Sequence, residues 1–220
     1  VLDRSDGRRR VVALAPKAVA DFYREVMDAL RALDVDVRIW PMPVEIPSPI
    51  RFDQDFVHHA YDRDAVEGWW RTLVLVSEVF QEFRGRFLGK SSPVHFFWGS
   101  FDLAVTRFSG RRAPDRPGAD AMTREAYSHE VLSAGFWPGS GPIQEAAFYA
   151  YASPEPPGFK SSAVEPGAAF YSQEFGEFVL RYADVRTAPS PHDAVMRFLE
   201  STYRAGATLA GWDRPALERG

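Results

Sequence analysis

Four residues able to do chemistry or bind charge stand close together in the run Ser91 to Arg112, SSPVHFFWGSFDLAVTRFSGRR. They are His95, Trp98, Asp102 and Arg107, set among Phe96, Phe97, Phe101 and Phe108. Polar groups in so apolar a run must be paired or must face something, because burying one alone costs roughly 2–7 kcal/mol. An imidazole beside a carboxylate is enough for acid–base work, and two imidazoles with a carboxylate can hold a metal. His129 and Glu130, on the strand expected next, complete the candidate catalytic set of His95, Asp102, His129 and Glu130. Trp98 and Phe101 are candidate walls for a substrate, and Arg107 and Arg111 are candidate grips for an anionic one.

Geometry decides whether these residues can meet. With Val94 to Phe108 read as one strand, His95 shares a face with Phe97, Gly99, Phe101 and Arg107, and Asp102 falls on the other. A bulge at Gly99 would exchange the faces downstream and bring His95 and Asp102 together. A satisfied structural histidine is the competing reading for both His95 and His129, because no HExxH or similar spacing fixes a ligand set. No metal site is therefore expected. There is also no P-loop, GxGxxG or GxSxG, so the cofactor question stays open. Arg107, Arg111, Arg112, Arg116 and Arg124 could grip a phosphate or carboxylate. They could equally form a solvated loop balanced by Asp115, Asp120 and Glu125. His58-His59 reads as surface and His192 as part of a helix cap.

Composition bounds the function classes. The 220 residues are long enough to bury a core, and 45% apolar with 25% charged residues is ordinary for a globular chain. A net charge of −4 argues against nucleic acid as a partner. No apolar run reaches membrane-spanning length, so no membrane is expected and the cytoplasm is the default compartment. The absence of cysteine removes thiol chemistry and disulfides. Three lysines accompany 23 arginines, which suits anion recognition or simply reflects a GC-rich bacterial genome. Aromatic residues, at 14%, suit large-ring core packing or an aromatic-lined pocket.

The elements that must position these groups can be read along the chain. Asp6-Gly7 marks a hairpin between Val1-Leu2 and Val11 to Leu14, so the chain opens as if its leading part were missing. A helix follows with Val19, Phe22, Tyr23, Val26, Leu30 and Leu33 on one stripe, and then a strand from Val35 to Trp40. Pro41, Pro43, Pro47 and Pro49 form an extended strap over residues 41–62. The longest helix, about Asp64 to Leu88, carries an aromatic seam at spacings of three and four: Val66, Trp69, Leu73, Val76, Phe80, Phe83 and Phe87. Beyond the featured strand and an arginine-rich loop, Tyr127 to Trp137, Ala146 to Ala152 and Phe175 to Tyr182 read as strands. Ser190-Pro191-His192-Asp193 opens a closing helix, and residues 213–220 form a tail.

Ala18, Val19, Phe22, Ala29 and Leu33 recur 176 positions later as Ala194, Val195, Phe198, Ala205 and Leu209. The expected fold is therefore α+β, a mostly antiparallel sheet with helices packed on it. It reads as a degenerate two-unit repeat: residues 1–40 are the tail of an incomplete first unit, and 63–212 a complete second one.

The strings GKSSPVHFFWGSFDLAVTRFSGRRAP, VRIWPMPVEIP, REAYSHEV, AGFWPG and FYAYASPEPPGF resemble the bacterial domain-of-unknown-function family numbered 5996, almost end to end. The resemblance implies members longer at the N-terminus and carries no activity with it. Two function classes remain. One is a protein that binds or transforms a small anionic or aromatic molecule in an aromatic-lined pocket. The other is a non-enzymatic interaction or scaffold protein using the strap or an exposed aromatic patch. The direction taken by Trp98, into a cavity, core or solvent, separates them.

Overall fold

A computed structural model describes residues 1–44, 46 and 48–219; of the proline strap, Pro47 lies outside the described residues. The chain divides into two compact units, Val1–Thr72 and the remainder from Leu73.

In the first unit, β1 (Leu2–Asp3) and β2 (Arg9–Arg10) form the expected hairpin, turning through Gly7 at φ +87°. Helix α1 (Val19–Arg31) starts at Ala18, which offers no side-chain cap. The first helical N–H groups would otherwise be unsatisfied. The chain after the strap supplies the acceptors: Val19 N donates to His58 O (3.0 Å) and Ala20 N to Asp55 O (2.9 Å). The strand expected at Val35 to Trp40 does not form. Its Val37, Ile39 and Trp40 are 42%, 47% and 74% exposed, so the alternating pattern finds no sheet to join.

Helix α2 (Arg63–Gly85) buries the expected seam from Leu73 through Val76 and Phe80 to Phe83, while Val66 is exposed and Phe87 lies just beyond the helix end. The second unit is built on one antiparallel six-stranded sheet. Its strands are β3 (His95–Phe97), β4 (Asp102–Arg112), β5 (His129–Trp137), β6 (Ala147–Ser153), β7 (Phe170–Ser172) and β8 (Glu177–Arg181). Their spatial order is β3-β4-β5-β6-β8-β7. The helices are α3 (Ala121–Ala126), α4 (Tyr182–Arg186), α5 (Pro191–Leu209) and α6 (Arg214–Leu217). Ser190 caps α5 as its sequence requires, its hydroxyl accepting from Asp193 N.

The core lies between one sheet face and the helices. Phe148 of β6 meets Phe80 of α2 and Phe136 of β5, and Phe159 meets Phe178 of β8. Helix α5 comes so close to β5 that a Cβ on Gly206 would lie 2.4 Å from Leu132 Cδ2. Only glycine permits that approach.

The structure departs from the sequence pattern in three further places. The segment 94–108 is two strands, β3 and β4, joined through a turn at Trp98–Phe101. Gly99-Ser100 is turn chemistry hidden among rings, and Phe101 takes the left-handed conformation at φ +61°. The arginine-rich loop contains helix α3, whose first turn is capped by Asp120 accepting from Thr123 N (3.0 Å). Residues after Trp212 are not a loose tail. Helix α6 is tied back through Leu88 N to Leu217 O (2.7 Å) and Arg219 N to Arg86 O (3.0 Å).

Candidate functional site

Register places side chains on the two faces of the sheet. His95 pairs with Ala104, Phe97 with Asp102, Ala104 with Gly135 and Gly135 with Tyr149. Directly paired residues point the same way, so His95, Asp102, Thr106, Ser133, Tyr149 and Tyr151 share one face. Val179 pairs with Tyr149, which puts Glu177 there as well. His95 and Asp102 thus share a face because of the hairpin rather than a bulge. Leu103, Val105 and Arg107 occupy the opposite face, toward the helices.

On the first face the hydroxyl of Tyr149 donates to Asp102 Oδ2. Tyr149 must cross β5 to reach it, and Gly135 is what lets it cross. A Cβ at Gly135 would sit 2.2 Å from Tyr149 Cζ. The Tyr149 and Tyr151 rings are stacked, 6.3 Å apart and 14° from parallel. Tyr151 Oη meets Tyr127 Oη at 3.1 Å, and Thr106 Oγ1 meets Ser133 Oγ at 2.8 Å. Arg116 lies 4.2 Å above the Tyr127 ring. Asp102 is buried, only 5% exposed.

Several groups on this face have displaced proton affinities, Glu177 and Tyr149 among them. Burial, reinforced by the negative Asp102, pushes the Glu177 carboxyl up to about 7. Burial and the same carboxylate hold the Tyr149 hydroxyl far above the usual phenol range. At neutral pH Tyr149 is a fixed donor. Glu177 is poised between acid and base, the condition a proton-transfer group needs.

The expected site residues separate. His95 lies against Phe97, ring centroids 4.4 Å apart, on the face that holds Asp102. His129 pairs with Arg112 at the far end of β4, and its Nδ1 is 3.1 Å from Ser128 Oγ. Glu130 accepts from Arg111 Nη2 (2.8 Å) and Nε (3.0 Å), and Arg111 also donates to Ala210 O and Gly211 O. Arg111 and Glu130 therefore tie β4 and β5 to the chain after α5. Trp98 is 84% exposed and Phe101 48% exposed at the hairpin tip, so both face solvent rather than a cavity. Arg107 is 1% exposed among rings beneath the helices. Among the described residues no three histidine, cysteine, aspartate or glutamate side chains form a group able to hold a metal.

Tyr149, Tyr151 and Glu177 were outside the expected set. The alternation in AAFYAYAS does place Tyr149 and Tyr151 on one face, yet only strand pairing shows that Asp102 and Glu177 share it.

Fold and site define an α+β protein whose antiparallel sheet carries helices on one face and an acidic, tyrosine-rich cluster on the other. The family model for DUF5996, a family of unknown function, matches residues 1–219, and the chain belongs to that family. No curated protein and no solved structure matches it significantly. No helix among the described residues is long and apolar enough to cross a membrane.

Proposed function

We propose that this protein binds, and exchanges protons with, a small molecule on the tyrosine face of its sheet. The observation that carries the reading is the Tyr149–Asp102 hydrogen bond laid across Gly135, with Glu177 beside it. Stacked phenols offer a platform for a flat ring. Two carboxylates suit a ligand that brings hydrogen-bond donors, and Glu177 is the group that would take up or release its proton. His95, on the same face, is the nearest imidazole in register to Asp102. The test is a thermal-shift screen of the full chain against small aromatic amines and phenols, repeated on Asp102→Asn with Glu177→Gln. Stabilisation present in the parent and lost in the double variant supports the reading. A panel that stabilises neither protein, or both equally, contradicts it.

A second reading, a non-catalytic interaction protein, draws on one specific feature. Phe97, Trp98 and Phe101 are 47%, 84% and 48% exposed at the tip of the β3–β4 hairpin, and β3 is an edge strand. Exposed rings on an unpaired edge suit association with another chain. Sedimentation that is concentration-dependent in the parent and monomeric in Trp98→Ser would favour it.

A further inference from the structure

The opposite face of β4 carries a second constellation, independent of the first. Arg107 points from β4 toward the helices, where its guanidinium carbon lies 3.4 Å from the Phe83 ring centroid and 4.3 Å from that of Tyr203. One nitrogen, Nη2, donates to Phe83 O. The other polar atoms here are less well served. Arg107 Nε and Glu200 Oε1 are both buried with no hydrogen-bond partner, and the Tyr203 hydroxyl beside them turns toward Glu218. Glu200 Oε1 stands 3.7 Å from Arg107 Nη2 and 3.7 Å from Arg86 Nη1, close enough to feel both charges and too far to bond. Buried polar atoms are rarely left so, because an unsatisfied one bears its desolvation cost with nothing to offset it.

Arg107 and Glu200 line an open cleft of about 470 Å³, walled by α5 and the C-terminal segment. Six arginines and three glutamates line it, with Arg107 and Glu200 among them. Arg86 is committed to Glu82 and Arg214 to Glu218. Arg197 and Arg204, about two turns of α5 apart along this wall, have no carboxylate within 4.0 Å among the described residues. Burial lowers the Arg107 pKa to about 10, which still leaves it charged at neutral pH.

We propose that this cleft is a binding site for inorganic phosphate, with Arg107 at its floor and Arg197 and Arg204 at its rim. Guanidinium groups match the geometry of phosphate oxygens and bind them through charge-assisted hydrogen bonds. The orphaned Glu200 oxygen selects among anions, because it needs a donor. A monohydrogen phosphate supplies one in its P–OH group. Sulfate and acetate have none at neutral pH. The site does not rest on the tyrosine face, so either reading can fail alone.

The experiment is calorimetric titration of the full chain with inorganic phosphate, with sulfate and acetate as parallel probes. Phosphate should bind more tightly than either. Arg197→Ala with Arg204→Ala, both on the helix surface, should weaken phosphate about tenfold while leaving the ligand-free melting temperature unchanged. Glu200→Gln should erase the preference for phosphate over sulfate. No phosphate binding by the parent, equal binding of phosphate and sulfate, or a double variant that binds as the parent does would each overturn the proposal.

Discussion

The two faces of strand β4 treat their polar residues in opposite ways. Asp102 and Thr106 look toward the tyrosine face, and there each is met by a hydroxyl, Tyr149 for one and Ser133 for the other. Arg107, on the helix face, is packed between rings with its Nε unpaired. The contrast shows how a single strand can supply two separate sites. Alternation sends neighbouring side chains to environments that share backbone and nothing else. One face is organised around carboxylates, the other around guanidinium groups.

The comparison can be broken from the arginine side first, where the largest effect is expected. Arg107→Ala removes the charge opposite Glu200 and empties the space between Phe83 and Tyr203. We expect a loss of about 3–5 kcal/mol in urea unfolding. A loss below 1 kcal/mol would mean that Arg107 is not a packed part of the helix face.

On the tyrosine face, Gly135→Ala pushes a methyl group into the Tyr149 ring and should cost about 1–3 kcal/mol. Tyr149→Phe keeps the ring and deletes the donor to buried Asp102, with an expected cost of about 1–3 kcal/mol. If the crossing over Gly135 matters through that bond, the double variant should cost less than the sum of the two, a non-additivity read from the same unfolding curves.

A third effect concerns pH. Glu177 holds its proton more tightly when folded, near 7, than an unfolded glutamate at about 4.3 does. The unfolded chain therefore releases the proton first, and the folded state loses stability as pH rises from about 4.5 to about 7. Glu177→Gln should flatten that slope in melting curves taken across the range. The smallest effect has the opposite origin. His192, bonded to Asp193 and to Glu82 Oε2 at 2.8 Å, has its pKa raised by Asp193 first and Glu82 second. Its link between α5 and α2 is present at low pH and fades as pH rises through that raised value. Since His192 is half exposed, His192→Ala should shift the acid-side melting temperature only slightly.

Much of this was legible in the sequence, and the reasons differ by element. The Ser190 cap of α5 and the Leu73–Phe83 part of the α2 seam are local patterns that the structure carries, whereas Val66 at the start of that seam is 49% exposed. The Val35–Trp40 strand failed because a strand needs a neighbour, which a local pattern cannot supply. The turn at Trp98–Phe101 is masked because the aromatic residues on both sides carry a strand-like pattern across a single glycine. Asp102 and Arg107 were identifiable as polar residues in an apolar run. Their partners were not, because Tyr149 is 47 residues from Asp102 along the chain and Glu200 is further still from Arg107.

The most direct test of the tyrosine face is the titration of Glu177 itself, followed through its side-chain carboxyl carbon by NMR in the full chain. We expect a midpoint near 7, and in Asp102→Asn a lower one, with burial alone still holding it above the ordinary carboxylate range. A midpoint at the ordinary value, unchanged in Asp102→Asn, would show that Asp102, Tyr149 and Glu177 form no coupled site.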